Sequence, residues 1–127
     1  MKTRPDDRSD DPCGPGGLNV LRILLVASSD TSSTLDEVYG LASAAVGRGH
    51  EVTVFFHVEG IGLLVAPRAS DRLASLVPLG VRLLACRTSA RERGVDSEDG
   101  LVEGAAMSSL GELVDLLDRC DRALFLG

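Results

Sequence analysis

The chain alternates short apolar runs with polar, helix-competent segments, and this alternation limits its fold more than any other feature. Residues 18–27 form an apolar run of the kind found in a strand buried on both faces, and residues 28–33 follow as a Ser-rich loop. Thr34-Leu35-Asp36-Glu37 has the Thr-x-x-Glu form of a capping box. Beyond it, Leu35, Val38, Leu41, Ala42, Ala45 and Val46 recur on one helical stripe until Gly47 and Gly49 end the helix. A second strand is expected over 52–56, leading to His57-Val58-Glu59-Gly60. A second helix is expected from about Ser70 to Val77, with Leu73, Leu76 and Val77 facing inward. Pro78 disfavours helical geometry at Val77, and Gly80 completes the break. Residues 81–85 predict a third strand, and the segment 86–93 a short helix closed by Gly94.

The rest of the chain repeats the pattern. Residues 96–104 are acidic and loop-like, and Ala105-Ala106-Met107 predicts a short fourth strand. Ser109-Leu110-Gly111-Glu112 is a second capping-box pattern, opening a helix expected to bury Leu110, Leu113, Val114, Leu116 and Leu117. Arg119 falls in its last turn, where positive charge suits the helix dipole. Residues 123–126 predict the last strand. Strand–helix alternation with short connections gives a mostly parallel sheet of about five strands, and right-handed crossovers put helices on both faces. The expected fold is therefore one three-layer α/β/α domain over 18–127. It is preceded by a polar Pro-, Gly- and Asp-rich segment, 1–17, read as a flexible tail.

Composition narrows the function. A net charge of −6 argues against nucleic acid as a direct partner, because phosphate contacts need a basic face. Tyr39, Phe55, Phe56 and Phe125 are the only aromatic residues, too few for base stacking. No run approaches the roughly 20 apolar residues of a membrane span. The first 17 residues lack the apolar centre of a secretion signal, so a cytoplasmic location is expected. Cys13, Cys86 and Cys120 are an odd, sparse set without metal-site spacing, consistent with free thiols in a reducing compartment.

Cys86 carries the chemical interest. It ends the third strand, and in open α/β sheets ligands and chemistry gather at the carboxyl ends of the strands. Arg87, Arg91 and Arg93 lie within seven positions of it. A helix start and nearby guanidinium groups both favour a thiolate, the reactive form of cysteine. An ordinary thiol with a pKa near ~8.5 needs about 2.7 kcal/mol of differential stabilisation to reach ~6.5. A helix N-terminus supplies ~0.3–1 kcal/mol, and up to ~2 in favourable settings, so at least one arginine would have to contribute. Against this stands the simpler reading of a small apolar residue at the edge of the core. Cys120 lies at the amino-terminal edge of the last strand and reads as structural, and Cys13 lies in the tail. His57, at the carboxyl end of the second strand, is a candidate base or a solvated loop residue, and Asp30 is similarly ambiguous. His50 sits at the opposite edge.

Taken together these residues resemble the DsrE/TusD-like (DsrE/DsrF-like) sulfur-relay family over nearly all of 20–127. The resemblance runs through the opening strand with its Ser-rich loop, Gly49-His50-Glu51-Val52 before Phe55-Phe56, and Glu59-Gly60-Ile61. It is strongest at Gly80-Val81 leading to Cys86, then Ser89-Ala90 and Arg93-Gly94-Val95. It continues through Ser108-Ser109-Leu110-Gly111-Glu112-Leu113 to Asp121-Arg122-Ala123-Leu124. It implies a subunit of a trimer or hexamer, homo- or hetero-oligomeric, in which Cys86 carries a persulfide received from a donor protein and passed to an acceptor protein. It implies Arg87, Ser89, Arg91, Arg93 and His57 as supporting residues, and no metal or organic cofactor. Residues 61–65 would shield the persulfide, contact another subunit or simply pack. Two other readings stay open. One is a non-catalytic subunit of the same fold. The other is a flavodoxin-like module using the Ser28–Thr34 hydroxyls to bind a small phosphorylated ligand.

Overall fold

A computed structural model describes residues 20–65 and 71–127. The expected tail, Cys13 and Ser70 lie outside the described residues. Five strands, β1 (Arg22–Ala27), β2 (Glu51–Phe56), β3 (Arg82–Cys86), β4 (Ala105–Ser108) and β5 (Arg122–Leu126), form one sheet in the order β4-β3-β2-β1-β5. Every pairing is parallel. Four helices connect them: α1 (Ser32–Gly47), α2 (Asp71–Ala74), α3 (Arg87–Glu92) and α4 (Leu110–Arg119). The α/β architecture read from the alternation is the one found.

Because strand side chains alternate, the sheet has two separate cores. On one face Leu25, Ala27, Val54, Phe56, Leu83 and Ala85 pack against α1, α2 and α3 through residues such as Val38, Ala42, Leu73 and Ala90. On the other face Leu24, Val26, Phe55, Leu84 and Cys86 form a smaller cluster, closed by Leu113 and Leu116 of α4. One helix thus covers a face that spans five strands, and Phe125 on the edge strand stays 66% exposed.

Several local expectations are corrected. β1 starts at Arg22 because the ladder with β2 begins at Arg22 opposite Glu51. Just before it, the Leu21 N–H donates to His50 Nδ1 instead of to a strand. The capping box at Thr34 is displaced by one turn. Thr31 is the N-cap and accepts from the Thr34 N–H at 3.1 Å, so Thr34 lies inside the helix. Leu41 falls off the α1 stripe and is 40% exposed. The second helix is shorter than read: α2 ends at Ala74, and Val77–Leu79 forms a separate 3₁₀ turn that accommodates Pro78 near its start. Leu73 and Leu76 are buried as expected, and Val77 is half-buried.

In α4 only Leu113 and Leu116 reach the sheet. Leu110, Val114 and Leu117, spaced to form their own helical stripe, point away from it and are exposed. The second capping box forms only by half. Ser109 Oγ accepts from the Glu112 N–H at 3.0 Å, but the Glu112 carboxylate turns to Ser108 and Arg82. Residues 58–63, read as part of a loop, form a 3₁₀ turn (Val58–Leu63). Ile61, Leu63 and Leu64 are buried in the larger core, on the face opposite Cys86, so this segment packs and does not shield the thiol. In the acidic stretch, Glu98 Oε2 accepts the N–H of Met107 at 2.7 Å, which occupies a donor of the edge strand β4.

Candidate functional site

The carboxyl edge of the sheet brings four strand ends into one row. Cys86 is the last residue of β3 and pairs in register with Ser108, the last of β4. Phe56 of β2 pairs with Ala27 of β1 and with Ala85 of β3. One step further along, the same register sets Ser28, His57 and Cys86 side by side. The ladder does continue that far, because the His57 N–H donates to the Ala27 carbonyl at 3.1 Å. Adjacent parallel strands at one register level present side chains on the same face. Two contacts confirm this for His57. Its Nε2 lies 2.7 Å from Ser28 Oγ, and its ring centroid lies 6.3 Å from that of Phe55, a member of the Cys86 cluster.

The row therefore reads Ser28, His57, Cys86, Ser108 on the face covered by α4. Cys86 is 2% exposed and also forms the N-cap of α3, without a side-chain capping bond. Beside it Ser108 is buried, and its hydroxyl donates to Glu112 Oε1, while Glu112 Oε2 meets Arg82 at 3.4 Å. On the other side the imidazole of His57 is half-buried. Burial pushes its pKa below the ordinary histidine value, so the neutral ring is favoured.

Two of the residues expected to support the thiol hold a neighbouring turn. Ser89 Oγ, buried in α3, accepts the Val58 N–H at 2.8 Å, and Arg93 Nε donates to the Val58 carbonyl at 3.0 Å. Val58 is the only non-glycine residue with positive φ (45°) among the described residues. α3 thus clamps both polar groups of a β-branched residue in a conformation it disfavours. The clamp sits directly after His57 and fixes where that residue leaves β2. Arg87 and Arg91 are exposed on α3. Asp30 is also exposed, with its carboxylate against Gly62.

In the Ser-rich loop the hydroxyls bond to one another. Ser29 Oγ lies 2.6 Å from Thr34 Oγ1, and Thr31 Oγ1 bonds Thr34 Oγ1 at 3.1 Å. Cys120 stands at the far edge and lines an open cavity of about 440 Å³ with Arg22, Arg82 and Arg119. Burial, with Asp121 nearby, raises its thiol pKa, which keeps it protonated.

Ser28, Ser108 and Glu112 are the site residues that sequence reasoning missed. Ser28 stood in a loop of interchangeable hydroxyls, and Glu112 was assigned to a cap. Among the described residues, no group of three or more His, Cys, Asp or Glu has the arrangement of a metal site. No helix among them is long and apolar enough to cross a membrane.

Comparison with known proteins agrees with this architecture. The YchN protein of E. coli superposes with a TM-score of 0.75 at 20% identity, covering 84% of this chain and 99% of that one. MTH1491 of Methanobacterium thermoautotrophicum, a protein of unknown function, gives 0.74 at 20% identity, covering 83% and 98%. BT1422 of Bacteroides thetaiotaomicron, also of unknown function, gives 0.66 at 14% identity, covering 82% and 93%. No curated protein matches the sequence. The model of the DsrE/DsrF-like family matches residues 22–126, from the first residue of β1 to the last of β5, and the chain belongs to that family.

Proposed function

We propose that this protein is a sulfur-relay subunit that carries sulfane sulfur as a persulfide on Cys86 and passes it to an acceptor protein. The observation that carries the reading is the position of Cys86: the last residue of β3, the N-cap of α3, in a row with a histidine and two serines. A thiolate there attacks the outer sulfur of a donor persulfide by the displacement used in thiol–disulfide exchange. The donor leaves as a thiol, and an acceptor thiol later removes the outer sulfur from Cys86. The chemistry uses no metal or organic cofactor. In this reading the exposed Arg87 and Arg91 attract the anionic donor, and Ser89 and Arg93 hold the turn that carries His57.

Cys86 is buried, so transfer requires its cover to open, and α4 is the helix packed on its cluster. The helix suits that task, because none of its residues is fully buried. The apolar stripe of Leu110, Val114 and Leu117, with Phe125, supports assembly into a homo- or hetero-oligomeric trimer or hexamer. Native mass measurement tests this: Val114→Lys combined with Phe125→Lys is expected to yield monomer, and an unchanged mass would place the interface elsewhere.

The burial of Cys86 also favours one competing reading, a non-catalytic subunit in which the thiol is packing. A transfer assay separates the two. The protein is incubated with a low-molecular-weight persulfide, desalted and offered an acceptor thiol. Sulfur release that disappears in Cys86→Ala supports the relay; equal release from the variant assigns the chemistry elsewhere. The flavodoxin-like reading fares less well, because the loop hydroxyls already bond to one another. A flavin absorption band in the purified protein would revive it.

A further inference from the structure

We infer that His57, oriented by Ser28, is the proton acceptor for the Cys86 thiol; this deepens the sulfur-carrier reading and rests on it. A thiol is only a few per cent ionised at neutral pH, so a carrier cysteine gains from a base at hand. Two ionisable side chains reach the row that holds Cys86, His57 from within it and Glu112 from α4. Glu112 is already occupied, with one carboxylate oxygen on the Ser108 hydroxyl and the other on Arg82. His57 has one ring nitrogen on Ser28 Oγ at 2.7 Å, and its Nδ1 has no partner among the described residues. It stands one register step beyond the Phe56–Ala85 pair, on the strand beside Cys86 and on the same face.

The imidazole is half-buried over Phe55, which favours the uncharged ring that can accept a proton. In the tautomer whose Nε2–H donates to Ser28 Oγ, the lone pair rests on Nδ1. Ser28 is thus a positioning residue that holds the ring through Nε2.

The step balances without an oxidant. The Cys86 S–H bond breaks and its proton moves to Nδ1. The thiolate pair forms a bond to the outer sulfur of the donor persulfide as the donor S–S bond breaks. The donor sulfur departs with that electron pair and takes the proton from the imidazolium. Cys86 is left as a persulfide and the donor as a thiol. Of the charged groups on the elements next to the pair, Asp30 and Glu59 lie on the adjoining loops, Arg87 and Arg91 on α3, Arg93 at its C-cap, and Glu112 on α4 with Arg82 as its partner. Arg93 is committed to the Val58 carbonyl, and Glu112 with Arg82 to each other.

The test follows alkylation of Cys86 by iodoacetamide, resolved peptide by peptide by mass spectrometry, from about pH 5 to about pH 9. His57→Gln keeps a hydrogen-bonding group for Ser28 but removes the titration. At neutral pH it is expected to slow Cys86 alkylation by about 10²-fold, the lower end of general-base effects. The gap should narrow at the alkaline end of the range, where hydroxide takes over as the base. Ser28→Ala, which retains the imidazole, should show a smaller loss of the same pH form, and Glu112→Gln should keep the parent's pH form. A Gln variant with the parent's rates, or one slowed equally at every pH, overturns the assignment. So does a Ser28→Ala profile identical to the parent's. Sulfur loading of the parent protein is measured separately. Loading without the alkylation gap refutes His57 alone; the gap without loading refutes the carrier reading and leaves His57 as the base.

Discussion

Gly60→Ala tests how the fold positions the histidine. Gly60 is buried where the 3₁₀ turn after β2 presses on the end of β1. A Cβ built there would lie 2.1 Å from the Ala27 carbonyl oxygen and 2.8 Å from its carbon. Carbon–oxygen contacts normally start near ~3.3 Å, so backbone must move by roughly 1 Å. The same carbonyl accepts the His57 N–H, and the Gly60 N–H donates to the His57 carbonyl at 2.9 Å. Forced overpacking costs about 1–3 kcal/mol and a lost hydrogen bond about 0.5–1.5, so the expected destabilisation is roughly 2–4 kcal/mol. For a domain of this size that lowers Tm by on the order of 10 °C. Urea unfolding followed by circular dichroism gives the value. Gly40→Ala is the internal control. It lies in α1 with nothing within 4 Å of the added carbon, and should stabilise by about 0.5–1 kcal/mol. A Gly60→Ala protein within about 0.5 kcal/mol of the parent would refute the packing argument and the placement of His57 that depends on it.

Three further outcomes follow from the same region. Ser89→Ala leaves the Val58 N–H without its acceptor and should destabilise by about 1–2 kcal/mol in the same urea assay. Val58→Asn replaces a β-branched residue at φ 45° by one that tolerates this region; Val58 is 45% exposed and loses little burial, so a gain of about 1 kcal/mol is expected. For acid stability, the folded-state pKa of His57 is below its ordinary 6.5. The unfolded chain therefore binds more protons as pH falls from 6.5 through the folded value, and stability drops over that window. Denaturant midpoints measured across it should fall for the parent and flatten for His57→Gln.

The alternation of apolar runs made the parallel sheet legible, because strands buried on both faces leave a local compositional mark. The place of Cys86 at the end of β3 was equally local, marked by the change from apolar to polar residues. What stayed hidden depended on pairing between distant segments. Ser28 and His57 are 29 residues apart, Ser89 reaches Val58 across 31, and Arg93 reaches it across 35. No local pattern distinguishes such a serine from its neighbours. The misplaced cap of α1 has a different cause: Thr31 and Thr34 both carry suitable hydroxyls, and only the backbone path out of β1 selects Thr31. In α4 the apolar residues occupy more of the helix than one sheet contact needs. Periodicity therefore could not tell the two that pack, Leu113 and Leu116, from the three that do not.

The larger core, with α1, α2 and α3, makes the stable side of the sheet, while the Cys86 side has a small apolar cluster under a single helix. The proposed reactive groups, Cys86 and His57, lie at the carboxyl edge of that thinner side. The proposed opening of α4 would leave the larger core on the opposite face in place.

Intact-protein mass spectrometry after incubation with a low-molecular-weight persulfide shows whether Cys86 takes up sulfur. A gain of one sulfur atom is expected, reversed by a thiol reductant, located on the Cys86 peptide and absent from Cys86→Ala. No gain in the parent protein, or the same gain in the variant, would contradict the sulfur-carrier reading.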